Sequence, residues 1–157
     1  MSASRRSRTK PVQSPAQEAL VRMLVAAGHL SRALDEVCSA RGITHDQYNV
    51  LRILRGVHPG GHPRYAVAER LIDRSPDVTR LLDRLEREGL VERFRSDEDR
   101  RLSLSRVTDE GLGLLDVLDP EIRAVHERFG AGLDAGELRE LGRLCRAVRD
   151  AGLESGE

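Results

Sequence analysis

The side chains best placed for chemistry in this 157-residue sequence are arginines, and their chemistry is recognition rather than catalysis. In the stretch SPDVTRLLDRLEREGLVERFRSDEDRRLSLSRVT, Ser75 to Thr108, the residues Thr79, Arg80 and Arg84 share the polar side of a helical pattern. A guanidinium donates two parallel bonds to guanine O6 and N7, worth about 1–3 kcal/mol of base discrimination, and a threonine can meet a phosphate or a thymine methyl. Arg95 and Arg100 stand around a charged tip further on, where they are candidate phosphate contacts, as is Arg64 upstream. For Arg84 and Arg87 a surface ion pair with Asp83, Glu86 or Glu88 competes with DNA. The ion pair is the preferred reading for Arg87, and DNA for Arg80.

Other chemistries find less support. His58-Pro-Gly-Gly-His62 has a His-x-x-x-His spacing, but a metal site needs a third and fourth ligand and a rigid frame. Cys38 and Cys145 match no zinc or Cys-x-x-Cys spacing, and each is expected as a buried reduced thiol on a helix. Glycine-rich phosphate loops and nucleophile or acid–base constellations are missing, and the carboxylates lie on helix faces beside arginines. No enzyme, no metal and no cofactor is therefore expected.

The arginines need a helix and a hairpin to hold them. Ser75 reads as an N-cap, Pro76 suits the first helical position, and Asp77 favours the positive end of the helix dipole. Val78, Leu81, Leu82 and Leu85 make one apolar stripe, and Gly89 closes the helix. Pro76, Asp77, Thr79, Arg80 and Arg84, with Ser75 before them, then form a groove-facing set. Leu90 to Arg95 reads as a strand, Ser96 to Asp99 as a polar tip, and Arg100 to Val107 as a returning strand with Leu102 and Leu104 on one face. Before this unit, Thr44-His45-Asp46-Gln47 is a capping box opening a helix through Arg55, with Tyr48, Val50, Leu51 and Leu54 inward. His58 to Pro63 reads as a loop. Pro63 starts a helix from Arg64 to about Asp73, with Val67, Ala68, Leu71 and Ile72 inward, and Arg74 makes the turn into Ser75. Two such helices make a helix-turn-helix, and the hairpin makes it winged.

At this point Gly89-Leu90-Val91-Glu92-Arg93, Asp99-Arg100-Arg101 and Thr108-Asp109-Glu110-Gly111 resemble, in register, the pattern of the MarR family of transcription regulators. The likeness is close from Ile43 to Gly111 and looser beyond. It implies that Asp99 orients Arg101, whose guanidinium reaches a minor groove; a narrow A·T-rich groove attracts that group. It also implies dimerisation through terminal helices and a pocket between those helices and the winged domain. Such a pocket takes a small aromatic or phenolic anion, with His29, Tyr48 and Arg52 as candidate lining. Neither cysteine stands near the chain start as in the family's peroxide-sensing branch, and the histidines do not reproduce the spacing of its zinc-sensing branch.

The expected fold is mainly α with a small β-wing, a winged helix-turn-helix flanked by N- and C-terminal dimerisation helices. Residues 1–14 are expected as a disordered basic tail, 15–42 as the N-terminal dimerisation helix and 43–108 as the DNA-binding domain. Residues 109–152 are expected as C-terminal dimerisation helices and 153–157 as a tail. The first helix, Ala16 to about Arg41, carries a heptad-like seam of Leu20, Met23, Ala27, Leu30, Leu34 and Val37, widened by Leu24 and Val25. Thr108 caps a helix rich in leucine and valine in which Pro120 predicts a kink or break, and Asp134 with Glu137 resembles a second capping box.

Composition bounds the function. Charged residues are 33% and aromatics 3%, with no Trp, which suits a helical protein. Formal net charge is zero, and from Asp77 to Arg101 seven arginines meet eight acidic groups. DNA binding therefore depends on acids being paired or turned away. Without a signal peptide or membrane-length apolar run, a cytoplasmic protein with no membrane partner is expected. The sequence predicts a homodimeric repressor on a pseudo-palindromic double-stranded operator, released by a small effector. The alternative, favoured by the zero charge, is a winged-helix protein-interaction module without DNA binding.

Overall fold

The computed structural model describes residues 14–72 and 77–154. The basic tail up to residue 13, the turn residue Arg74, the expected cap Ser75 with Pro76, and the last three residues lie outside the described range. Six helices and three strands follow in the order α1 (Pro15–Ser39), α2 (His45–Arg55), β1 (His62–Pro63), α3 (Arg64–Arg70), α4 (Val78–Arg87), β2 (Val91–Arg95), β3 (Ser103–Val107), α5 (Asp109–Gly130) and α6 (Ala135–Glu154).

Caps decide most boundaries. Ser14 Oγ accepts from the Gln17 amide at 3.1 Å with Pro15 in the first turn, so α1 begins there. Thr44 and Gln47 form the expected reciprocal box, at 3.2 and 2.8 Å. The Asp134–Glu137 box is also present: each residue's backbone N–H donates to the other's carboxylate, at 2.8 and 2.9 Å. Gly42 and Gly89 take φ of 81° and 73°, the left-handed conformation that ends α1 and α4. The start of α4 differs from expectation. It opens at Val78, and Asp77 is the N-cap, its carboxylate accepting from the Thr79 and Arg80 amides at 3.0 and 3.3 Å.

The core lies where α2 meets α1, α4 and α5. Leu51, Leu54, Leu82, Leu85, Leu115 and Leu118 are fully buried together, with Val67 and Val91 beside them. The stripe expected on α4 is buried as read, Leu81 only partly. On α3 the reading extends too far. The helix ends at Arg70 because Leu71 turns extended (φ −63°, ψ 142°); Leu71 stays buried while Ile72, pointing the other way, is 76% exposed.

The sheet holds a strand that the sequence hid. His62–Pro63, expected as loop, pairs with Ser105 and Leu104, giving the order β1-β3-β2, all antiparallel. Two residues are too few for an alternating pattern. Gly61 permits this approach, since a Cβ there would stand 2.6 Å from the Ser105 carbonyl oxygen. The pairing also sets the faces of β3: Ser105 and Val107 are buried, whereas Leu102 and Leu104, expected on one face, are only half-buried.

Two of the three motif blocks, at Gly89 and Thr108, meet at the base of the wing, and the Asp99 block lies at its tip. Thr108 caps α5 by accepting from the Gly111 amide at 3.2 Å, and its hydroxyl donates to the Gly89 carbonyl at 2.7 Å. Its own amide donates to the Leu90 carbonyl at 3.1 Å. Gly111 lies so close to the Leu90 carbonyl and Val107 that a Cβ would overlap both.

α5 runs unbroken through Pro120, so the expected break is not there. Proline costs one amide donor, and the burial of Leu115, Leu118, Ile122 and Val125 on either side holds the helix together. The C-terminal half of α1 packs in the core through Ala33, Leu34 and Cys38, while Leu20, Val21, Leu24 and Val25 are exposed. No described side chain of α6 is buried; Leu138, Leu141, Leu144 and Val148 form an open apolar face. Cys145 shares that exposure and is not the buried thiol expected, whereas Cys38 is fully buried, its thiol pushed up to about 11 chiefly by desolvation. None of the described helices is long and apolar enough to cross a membrane.

Candidate nucleic-acid interface

The zero net charge resolves into an ordered arrangement on α4. Asp77 is committed to capping, with Arg80 Nε 3.4 Å from its other carboxylate oxygen. Glu88 takes Arg84 at 3.1 Å. Asp83 and Glu86 are both held by Arg93, reaching across from β2. Arg80 is left 88% exposed, and Thr79 is exposed beside it. Arg87 makes no ion pair among the described residues; its Nε donates to the Asp83 carbonyl at 3.4 Å. The expectation for Arg87 is thus corrected, because Arg93 already occupies the carboxylates it would have used. Arg84, assigned to DNA with an ion pair as the competing reading, is held in an ion pair, an exposed one that contributes little on its own.

The wing tip is built from backbone bonds. Ser96 Oγ accepts from the Glu98 and Asp99 amides, both at 3.3 Å, and the Leu102 amide donates to the Asp99 carbonyl at 2.9 Å. Asp99 Oδ1 accepts from the backbone N–H of Arg101 at 3.0 Å. This corrects the expected side-chain pairing: the aspartate shapes the turn, and the guanidinium of Arg101 stays free among the described residues. Arg100 likewise has no acidic partner there, and Arg95 donates to the Arg101 carbonyl at 3.3 Å. Behind them Arg106 is tied to Glu92 and lies 4.6 Å from the Phe94 ring centre. Arg64 is exposed at the start of α3. Among the described residues no group of three or more His, Cys, Asp or Glu side chains could hold a metal.

A helix-turn-helix with a paired wing and these motif blocks has a clear set of relatives. The model of the MarR family matches residues 43–103. A MarR transcription factor from Planctomyces limnophilus is 40% identical, with a TM-score of 0.66 over 87% of this chain and 98% of that one. The chain belongs to the MarR family. PcaV, a transcriptional regulator from Streptomyces coelicolor solved with its natural ligand, is 33% identical, with a TM-score of 0.71 over 93% of this chain and 99% of that one. The HTH-type transcriptional regulator MhqR of Bacillus subtilis is 30% identical over 107 residues, 68% of this chain and 72% of the relative.

This MarR-family chain also has a cleft of about 430 Å³ where α1, α2 and α5 meet, lined by Leu30, Leu34, His45, Tyr48, Arg52 and His126 among others. It shares Tyr48, Arg52, Ile122 and His126 with a second, cationic cleft of about 330 Å³ that adds Arg55, Asp119 and Arg123. Tyr48 Oη donates to Asp119 at 2.9 Å, and Arg55 donates to the other oxygen at 2.7 Å. Burial and this bond push the Tyr48 hydroxyl up to about 12. Burial alone would raise Asp119; the bonds from Arg55 and Tyr48 outweigh it and hold the carboxyl below its ordinary value. His45 stacks on Tyr48 at 6.0 Å, and burial holds it below the usual histidine range. Arg52 lies 5.7 Å from the Tyr48 ring centre.

Tyr48 and Arg52, the candidate pocket residues, line both clefts. His29 does not: it is exposed on α1 and lines neither cleft, because its side chain lies about 100° round the helix from that of Leu30. His45, His126 and Asp119 were missed. The signal existed in the three- and four-residue spacing of His45, Tyr48, Arg52 and Arg55, and of Asp119, Ile122 and His126. It could not say that the two faces meet.

Proposed function

We propose that this chain is a homodimeric repressor that reads a pseudo-palindromic operator and is released by a small aromatic or phenolic anion. The observation that carries the reading is the charge arrangement: Asp77, Asp83, Glu86 and Glu88 at α4, with Glu92 and Asp99 on the wing, are capped, paired or hydrogen-bonded, leaving Arg80, Arg100 and Arg101 projecting. Two copies of α4 enter successive major grooves about 34 Å apart. Arg80 and Thr79 face bases, Arg101 enters the minor groove from the wing, and Arg64, Arg95 and Arg100 take phosphates. Arg84 joins them once DNA displaces it from Glu88. Asp77, with Ser75 and Pro76 ahead of it, sets the helix N-terminus against the DNA backbone. The exposed faces of α1 and α6 supply the dimer contact. Such a regulator works in the cytoplasm, with no part in enzyme chemistry.

The effector reading rests on the clefts. Stacked His45 and Tyr48 rings offer a face to a planar ligand, and Arg52 offers a guanidinium without an acidic partner among the described residues. PcaV, the 33% identical relative, was solved with its natural ligand. α2 carries Tyr48 and Arg52 and packs directly on α4, so a ligand that moves α2 changes the recognition helix.

The deciding experiment titrates the purified chain against its own upstream DNA and a scrambled duplex at two salt concentrations. A preference for the upstream duplex that falls steeply with salt supports the repressor. Binding to neither at either salt moves the reading to the protein-interaction module. Thermal shift with a panel of hydroxybenzoates, lost in Arg52→Ala, tests the effector cleft.

A further inference from the structure

Recognition helix α4 carries carboxylates on the very side that must meet DNA. At about 100° per residue, Asp83 falls between Thr79 and Arg87, opposite the buried Val78, Leu82 and Leu85, and Glu86 flanks Thr79. Like charges brought together across an interface oppose association, so these two groups would repel phosphates. One guanidinium deals with both. Arg93 Nη2 donates to Asp83 Oδ1, and Nη1 stands 3.2 Å from Glu86 Oε2. The Arg93 side chain is 32% exposed, more enclosed than any other arginine partner on α4, so water screens the contact less. Both ends of the fork are occupied by protein carboxylates, which separates Arg93 from the free arginines of the wing. It also sits on β2, one residue after Glu92, which is itself held by Arg106.

We propose that Arg93 is a positioning residue for DNA recognition: it masks Asp83 and Glu86 on the recognition helix and ties the wing to that helix. The inference rests on the DNA-binding reading above. Masking removes two of the carboxylates that would oppose phosphates on a surface with more acids than arginines. It also gives the arginine of the Gly89–Arg93 block a physical role that needs no contact with DNA.

The test uses the full chain with its own upstream duplex and a scrambled duplex, across a salt series. Arg93→Ala lowers affinity by about tenfold at low salt, because two carboxylates are uncovered. Asp83→Asn/Glu86→Gln with Arg93 retained binds more tightly than wild type and shows a steeper salt dependence, since Arg93 is released toward the phosphates. The triple variant Arg93→Ala/Asp83→Asn/Glu86→Gln recovers most of what Arg93→Ala lost. A merely structural Arg93, or one that itself held a phosphate, would give no recovery larger than the gain the same two acid substitutions bring to wild type. Wild type that binds while the double variant gains nothing, or a triple variant no better than Arg93→Ala, overturns the masking role alone. Wild type that binds neither duplex overturns the DNA-binding reading and this inference with it.

Discussion

The carboxylate of Asp99 accepts a hydrogen bond from the backbone N–H of Arg101, 3.0 Å away at the tip of the wing. The bond spans two residues and closes the turn that projects Arg101, leaving its guanidinium free to reach out. Asp99→Asn keeps an acceptor oxygen and should bind DNA nearly as wild type does. Asp99→Ala loses it and should weaken binding several-fold with little change in melting temperature. Arg101→Ala should weaken binding and reduce the salt slope by about one. Unchanged affinity across a salt series in Arg101→Ala would remove the wing from the interface.

Gly111 gives a stability prediction with an internal control. A Cβ there would overlap the Leu90 carbonyl and stand 2.6 Å from Val107 Cγ2, so Gly111→Ala should destabilise by about 1–3 kcal/mol. Gly113, two residues further along the same helix, has nothing within 4 Å, and Gly113→Ala should be neutral or stabilising by up to about 1 kcal/mol. Urea melts of the two variants separate close packing from helix propensity.

Asp119 links α5 to α2 through Tyr48 and Arg55. Its carboxyl titrates below its ordinary value, so its contribution is present above the unfolded-state pKa and lost as pH falls through the folded one. Asp119→Asn should cost about 1 kcal/mol near neutral pH, the low end of a charged hydrogen bond because the pair is partly exposed. The difference from wild type should shrink below about pH 4. A difference that stays constant down to pH 3 would show that the charge is not the stabilising feature.

Dimerisation rests on two open apolar faces. Leu24 is 67% exposed on α1, and Leu141 and Leu144 are each 47% exposed on α6. Leu24→Glu and Leu144→Glu should shift the chain from dimer to monomer in sedimentation, and lower affinity for a two-half-site duplex by about 100-fold or more. A wild-type chain that sediments as a monomer at micromolar concentration would contradict the homodimer.

Much of this protein was legible in the residue order because its signals are local. Thr44 with Gln47, Asp134 with Glu137, and Gly89 after the Val78–Leu85 stripe each act within a few residues, so caps and periodicity located the helices and the hairpin. The blocks at Gly89, Asp99 and Thr108 identified the family for the same reason. Two of them are bonded to each other, Thr108 to Gly89 and Leu90, at the base of the hairpin.

What the sequence left open depended on distant partners. β1 has two residues and exists only because β3 lies beside it. Asp77 is the N-cap of α4, its carboxylate meeting the Thr79 and Arg80 amides. Arg87 lacks the ion pair expected of it because Arg93, from another element, holds Asp83 and Glu86 while Arg84 holds Glu88. Cys145 is exposed while Cys38 is buried, although both sit in apolar helical patterns, because α1 packs into the core at that point and α6 does not. Periodicity reports that a face is apolar; only the packing of helix on helix decides what covers it.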